Sequence, residues 1–149
     1  MPVLVALLAF LYQSLNAPTQ AFQVAASPMY EAAWLLDPRF CTGVLCMVSG
    51  IVINIRADNH LMSLRRPGET GYRIPQRGMF RYVTCANYFG ELVIWVGWAL
   101  ATWSWAGLAF AVYTLANLGP RAAASHRWYH ARFGAEYPAE RRRLIPYVW

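Results

Sequence analysis

Residues Tyr82 to Pro120 hold 39 positions and one ionisable carboxylate, Glu91. As a single straight helix this stretch would reach about 58 Å at 1.5 Å per residue. That is nearly twice the roughly 30 Å hydrocarbon core of a bilayer. The chain therefore has to turn back on itself, and Ser104 to Gly107 is the place best suited to a turn. The sequence predicts two helices, about 82–103 and 106–118, with Gly119-Pro120 ending the second.

Composition supports the same architecture. Hydrophobic residues make up 58% of the 149-residue chain and charged residues 13%, against roughly 25% charged in a typical soluble domain. Seven Trp, nine Tyr and seven Phe suit side chains that sit at lipid–water interfaces. The expected fold is all-α, a multi-pass integral membrane helical bundle. Net charge is +6, carried by thirteen arginines and no lysine. So apolar a chain is not expected to bind nucleic acid despite its charge. Cys41, Cys46 and Cys85 are odd in number and form no CxxC pair, so they read as small buried hydrophobes, not as a disulfide frame or a metal site.

Met1 to Leu11 is apolar but lacks a basic leader and an evident cleavage site, which argues against a signal peptide. An apolar segment over 1–15 is expected to end at Asn16-Ala17-Pro18. Residues 17–36 read as an extramembrane connection with a short interfacial helix over Tyr30 to Leu36. Residues 1–36 thus form an N-terminal segment and 37–149 the main domain. Asp37-Pro38 has the chemistry of a helix start, an acidic N-cap followed by proline at the first helical position. Phe40 to Ile55 is almost free of charge, and the helix can continue through Arg56, Asp58 and His60 before Pro67 stops it.

Residues 65–78 follow, with four arginines in fourteen positions and several Gly and Pro. A polar loop of that kind between two apolar runs suits a phosphate-bearing ligand, because guanidinium groups fork onto phosphate oxygens. The tail, 121–149, is basic and aromatic. It is helical in period to Phe133, broken at Gly134, and carries a charge run at Arg141 to Arg143. A two-helix hairpin separates loop from tail, so both lie on one side of the membrane, the cytoplasmic side by the distribution of arginine.

Three polar ladders run at helical spacing. Asn54, Asp58 and Arg65 are offset by four and seven and share a helix face. Asn87 and Glu91 are four apart in an otherwise apolar run. Arg121, Ser125, Tyr129 and Arg132 form the third. Asn54 and Asp58 fit a ligand site and fit equally a helix leaving the membrane. Glu91 weighs more towards function, because an ionisable group ten residues into an apolar run faces a partner or a water-filled cavity. The third ladder alone fits a tail that is solvated or binds anionic lipid. The chain has no GxGxxG after a strand, no GxxxxGK[ST], no HExxH and no GxSxG.

Several motifs resemble the steroid 5-alpha-reductase family, including its plant brassinosteroid counterpart. They are Asp37-Pro38-Arg39-Phe40, Asn54-Ile55, the run Leu64 to Pro75, Ala86 to Glu91, Ala99 to Ser104, Leu118 to Arg121 and Leu144-Ile145-Pro146, and they span about Asp37 to Trp149. The resemblance implies a seven-helix membrane oxidoreductase of the endoplasmic reticulum, or of the inner membrane in a bacterium. It implies NADPH as cofactor and reduction of the 4,5 double bond of a 3-oxo-4-ene steroid, with hydride going to C5. The cofactor residues it implies are Asn54, Asp58, Arg65, Tyr72, Arg73, Asn87, Glu91, Arg121 and Tyr129. Ser125 stands where the family has a cofactor-binding histidine, and the adjacent His126 would point about 100° away on a helix. The steroid-binding Glu and Tyr of the family belong to an N-terminal half outside this sequence. The expectation is a partial chain with most of a cofactor site and its catalytic groups elsewhere.

Phe133-Gly134-Ala135-Glu136-Tyr137 also resembles the closing segment of isoprenylcysteine and related lipid methyltransferases. Those use S-adenosylmethionine, which has no phosphate and would leave the dense arginines unexplained. A third reading is non-catalytic, with the chain acting as a membrane partner of another subunit. The identity of the steroid or sterol-like substrate and the oligomeric state stay open.

Overall fold

The computed structural model describes residues 3–64, 68 and 71–149. The described chain is all-helical, with α1 (Val3–Ala25), α2 (Pro38–Ser63), α3 (Ala86–Thr102) and α4 (Trp105–Phe133). Short 3-10 turns cover Ala32–Leu36, Gly78–Arg81 and Gly134–Glu136. Among the described residues, α2 is the one helix long and apolar enough to cross a membrane by length and composition.

The α2 start follows from local chemistry. Asp37 accepts the Arg39 backbone N–H at 2.8 Å and Pro38 opens the helix. The same carboxylate takes the Arg39 guanidinium, Nη2 to Oδ2 at 2.8 Å. Arg39 in turn lies over the rings of Trp34 and Trp103.

Antiparallel packing of α2 on α3 rests on glycines spaced by seven. Gly43 faces Gly97 and Ala101, and Gly50 faces Gly90 and Ile94. A Cβ on Gly50 would lie 2.7 Å from the Gly90 carbonyl oxygen, and one on Gly97 would lie 2.7 Å from the Gly43 carbonyl oxygen. Backbone meets backbone, the arrangement small residues permit between helices that lack a hydrophobic drive to associate. Past the glycines the seam ends in a small core of Ala57, Phe80, Val83 and Ala86.

The turn between α3 and α4 falls at Trp103-Ser104, within a residue of the expected place. Trp103 is left-handed at φ 41°, and the Ser104 hydroxyl accepts the Gly107 N–H at 3.0 Å. The last carbonyls of α3 would otherwise lack donors. Trp34 Nε1 reaches Ala101 O at 3.0 Å and the Tyr30 hydroxyl donates to Thr102 O.

Three sequence expectations are corrected. First, α1 does not end at Asn16-Ala17-Pro18 but runs through Pro18 to Ala25. Its second half is held by tertiary bonds: Gln20 Nε2 donates to Ala106 O at 2.8 Å, Trp98 Nε1 donates to Gln20 Oε1 at 3.0 Å, and Ala106 N donates to Gln23 Oε1 at 2.8 Å. Second, α4 does not stop at Gly119-Pro120 but continues to Phe133. Proline removes one helix bond, while Leu118, Gly119 and Ala122 are buried around it and the Trp149 ring covers Gly119. Third, α3 begins at Ala86, not near 82, because residues 82–85 give their backbone groups to the tail. Thr84 N donates to Arg142 O and Arg142 N to Tyr82 O, both at 2.8 Å.

Candidate functional site

Asn54 sits where the glycine seam ends. Its Nδ2 donates to the Asn87 carbonyl at 3.0 Å, tying the third turn from the end of α2 to the first turn of α3. One turn further along each helix stand Asp58 and Glu91, both half-buried. Arg121 arrives from α4 just past Pro120 and is exposed. Glu91 feels both the Asp58 carboxylate and the Arg121 guanidinium, beyond the 4 Å of an ion pair. The structure thus bonds Asn54 to Asn87 and sets Glu91 within electrostatic reach of Asp58 and Arg121.

Tyr88 lies in the same group. It feels Cys85, Arg121, Glu91 and Asp58. Sequence reasoning passed over it, although its position three before Glu91 puts it on the same side of α3.

Tyr72 and Tyr129 form a neighbouring aromatic wall. The Tyr72 ring leaves the loop and meets the edge of Trp128 at 4.8 Å between centroids. Tyr129 is flanked by Trp128 at 5.1 Å and stacks on Tyr137 at 5.3 Å. Burial, then Tyr137 and Cys85, push the Tyr129 phenol above its ordinary range. Arg73 is exposed on the loop beside Tyr72. Arg65 lies outside the described residues.

A buried polar node supports this wall, and no local sequence pattern announces it. Thr84 Oγ1 meets His126 Nδ1 at 2.5 Å and the Tyr137 hydroxyl at 2.8 Å. His126 Nε2 faces His130 Nε2 at 3.1 Å. Burial first, then His130, Arg143 and Arg141, hold the His126 ring below the usual histidine range. His126 is thus committed to Thr84, while Ser125 lies beside Cys85. Arg141, read from the sequence as part of a charge run, is 4% exposed. Its Nη1 donates to Pro75 O at 3.0 Å and its guanidinium lies 5.0 Å from the Tyr137 ring centre. That bond joins tail to loop on one end of the bundle, as the hairpin argument required.

The Phe133 to Tyr137 segment is accounted for by the same node. Tyr137 is 3% exposed and is spent on packing between Tyr129, His126 and Thr84. Glu136 is exposed.

This is a helical protein in which polar groups of α2, α3 and α4 lie near one another beside the apolar α2–α3 seam. The sequence model of the 3-oxo-5-alpha-steroid 4-dehydrogenase family matches residues 1–149, and the chain belongs to that family. It is 47% identical over 148 residues to 3-oxo-5-alpha-steroid 4-dehydrogenase 1 of Bos taurus, covering 99% of this chain and 57% of the relative. It is 45% identical over 149 residues to steroid 5-alpha-reductase DET2 of Arabidopsis thaliana, covering 99% and 57%. The human 3-oxo-5-alpha-steroid 4-dehydrogenase 1 is 43% identical over 149 residues, covering 100% and 57%. The chain spans a little over half the length of these relatives and matches their C-terminal part. The match takes in residues 1–36, which the motif resemblance had left aside.

Proposed function

We propose that this chain forms the cofactor-binding half of a multi-pass membrane reductase. The reaction is NADPH-dependent reduction of the 4,5 double bond of 3-oxo-4-ene steroids. Convergence of Asn54, Asp58, Asn87, Glu91 and Arg121 from three helices, in a chain of this family, carries the reading.

The donor set suits a nicotinamide dinucleotide. Asn54 spends its amide N–H on Asn87 O, which leaves its Oδ1 as an acceptor. The Asn87 side chain with the Asp58 and Glu91 carboxylates adds donors and acceptors suited to a carboxamide and to ribose hydroxyls. Arg121, Arg73 and Arg65 supply the guanidinium groups that pair with phosphates. The Tyr72–Trp128–Tyr129 wall offers flat apolar surface beside them. Bound there, NADPH would supply the hydride that reaches C5 of the enone. The residues of this chain hold and orient it and exclude water on the apolar side. Polarisation of the 3-keto group, the largest electrostatic contribution to such a step, falls to groups outside these 149 residues.

Family membership and the burial of Tyr137 both weigh against the methyltransferase reading. Titrating the purified chain separately with NADPH and S-adenosylmethionine tests the proposal. Saturable NADPH binding without S-adenosylmethionine binding is expected. The reverse result would overturn it.

A further inference from the structure

On the opposite face of α2 from Asn54 and Asp58 lies a cleft of about 710 Å³. Its inner end is apolar, with Val52 and Ile53 on α2 and Met79 and Phe80 from the 3-10 turn. Its outer end is cationic, with Arg56 on α2 and Arg77 facing it from the loop. A second hollow, of about 580 Å³, shares His60, Ser63 and Arg77 and adds Arg81. Among the described residues, neither hollow is lined by a carboxylate. Arg56, Arg77 and Arg81 are all exposed.

His60 joins the two hollows. Its Nε2 accepts backbone N–H groups from Gln76 at 3.2 Å and Arg77 at 3.4 Å. Accepting there places the proton of the neutral ring on Nδ1, and Nδ1 is buried with no partner among the described residues. The loop is therefore fixed to α2 by this ring, which keeps Arg77 on the same cleft as Arg56.

Along α2, Val52 to Arg56 is four residues, about 6 Å of rise. Apolar wall gives way to cationic rim over that distance, at the end where the charge-free stretch of α2 stops. Such a gradient matches an amphiphile with its chain against the helix and its anionic head at the interface. We propose that this cleft binds the headgroup of an anionic phospholipid between Arg56 and Arg77, with the acyl chain along Val52, Ile53 and Met79. The proposal rests on reading α2 as a membrane span. It assigns to α2 a lipid face distinct from the Asn54 face.

Native mass spectrometry of the full chain released from nanodiscs tests it, using phosphatidylcholine alone or phosphatidylcholine mixed with phosphatidylglycerol. Retained phosphatidylglycerol in preference to phosphatidylcholine is expected. Arginines near an anionic surface are worth roughly fivefold each, so the Arg56→Gln/Arg77→Gln double variant should lower that preference roughly 25-fold. Arg127→Gln, exposed on α4, should leave it unchanged. Equal retention of both lipids, an unaltered double variant, or an equal loss in Arg127→Gln would overturn the proposal. Displacement of the bound lipid by inorganic phosphate would also overturn it, by showing a free-anion site. Failure of the chain to enter nanodiscs at all would overturn the membrane reading and this one with it, whereas entry without lipid preference overturns this one alone.

Discussion

Asn54 and Asn87 are joined across the α2–α3 seam by one hydrogen bond, Nδ2 to the backbone carbonyl at 3.0 Å. The bond closes the seam where the glycine contacts end. Asn54→Ala leaves the Asn87 carbonyl without this donor. A loss of about 1 kcal/mol in stability is expected, together with weaker NADPH binding. Thermal unfolding in detergent and a cofactor titration on the same sample check both. Weakened binding with an unchanged melt would show that the residue touches ligand more than it supports the seam.

The glycine seam predicts a steep penalty for a single methyl group. Gly50→Ala places a Cβ 2.7 Å from the Gly90 carbonyl oxygen and the Ile94 nitrogen. Backbone on both sides has to move, so destabilisation of about 1–3 kcal/mol is expected. Gly71→Ala, with nothing among the described residues within 4 Å of the added carbon, should melt like the wild type.

The Thr84–His126–His130 chain makes the tail sensitive to acid. His126 lies beyond Pro120, and its folded-state affinity for protons is below that of the unfolded chain. The folded state then binds fewer protons. Its stability is fully present above the unfolded histidine value near 6.5 and is lost as pH falls from there through the depressed folded value. Protonating both rings would also turn two N–H groups towards each other across 3.1 Å. Stability followed between pH 8 and pH 5 should fall on the acid side in the wild type. The fall should be shallower in His126→Gln.

Burial pushes the Cys85 thiol up to about 11, so it carries little thiolate at neutral pH. Cys41 is exposed. In folded Cys41→Ser/Cys46→Ser protein, maleimide labelling of Cys85 at neutral pH should be negligible and should appear on denaturation. Rapid labelling of the folded variant would contradict the buried position.

What the sequence disclosed was what local chemistry decides. Asp37-Pro38 started a helix because an acidic N-cap and a proline at N1 need no distant partner. The return near Ser104 followed from length against bilayer thickness. Asn87 and Glu91 were legible because an unexplained carboxylate in an apolar run stands out. Pro18 and Pro120 misled because proline ends helices locally, and here contacts with Trp98 and Ala106, and with Trp149, override it. The glycine seam was hidden because Gly43, Gly50, Gly90 and Gly97 become a pattern only when two helices are laid antiparallel. Thr84 and His126 are 42 residues apart, and no spacing rule links them. Arg141 did not stand out from Arg142 and Arg143 because burial of one guanidinium among three depends on where Pro75 and Tyr137 arrive.

The central claim is that polar groups from α2, α3 and α4 form one NADPH site. Arg121 supplies the charge from α4, and Arg127, two turns on and exposed, serves as its control. Isothermal titration of purified chain with NADPH is the most direct measurement. Loss of a charge-assisted hydrogen bond, worth about 1.5–3 kcal/mol, predicts roughly 10- to 100-fold weaker binding for Arg121→Ala and unchanged binding for Arg127→Ala. Equal affinity of the wild type and Arg121→Ala for NADPH would contradict the site.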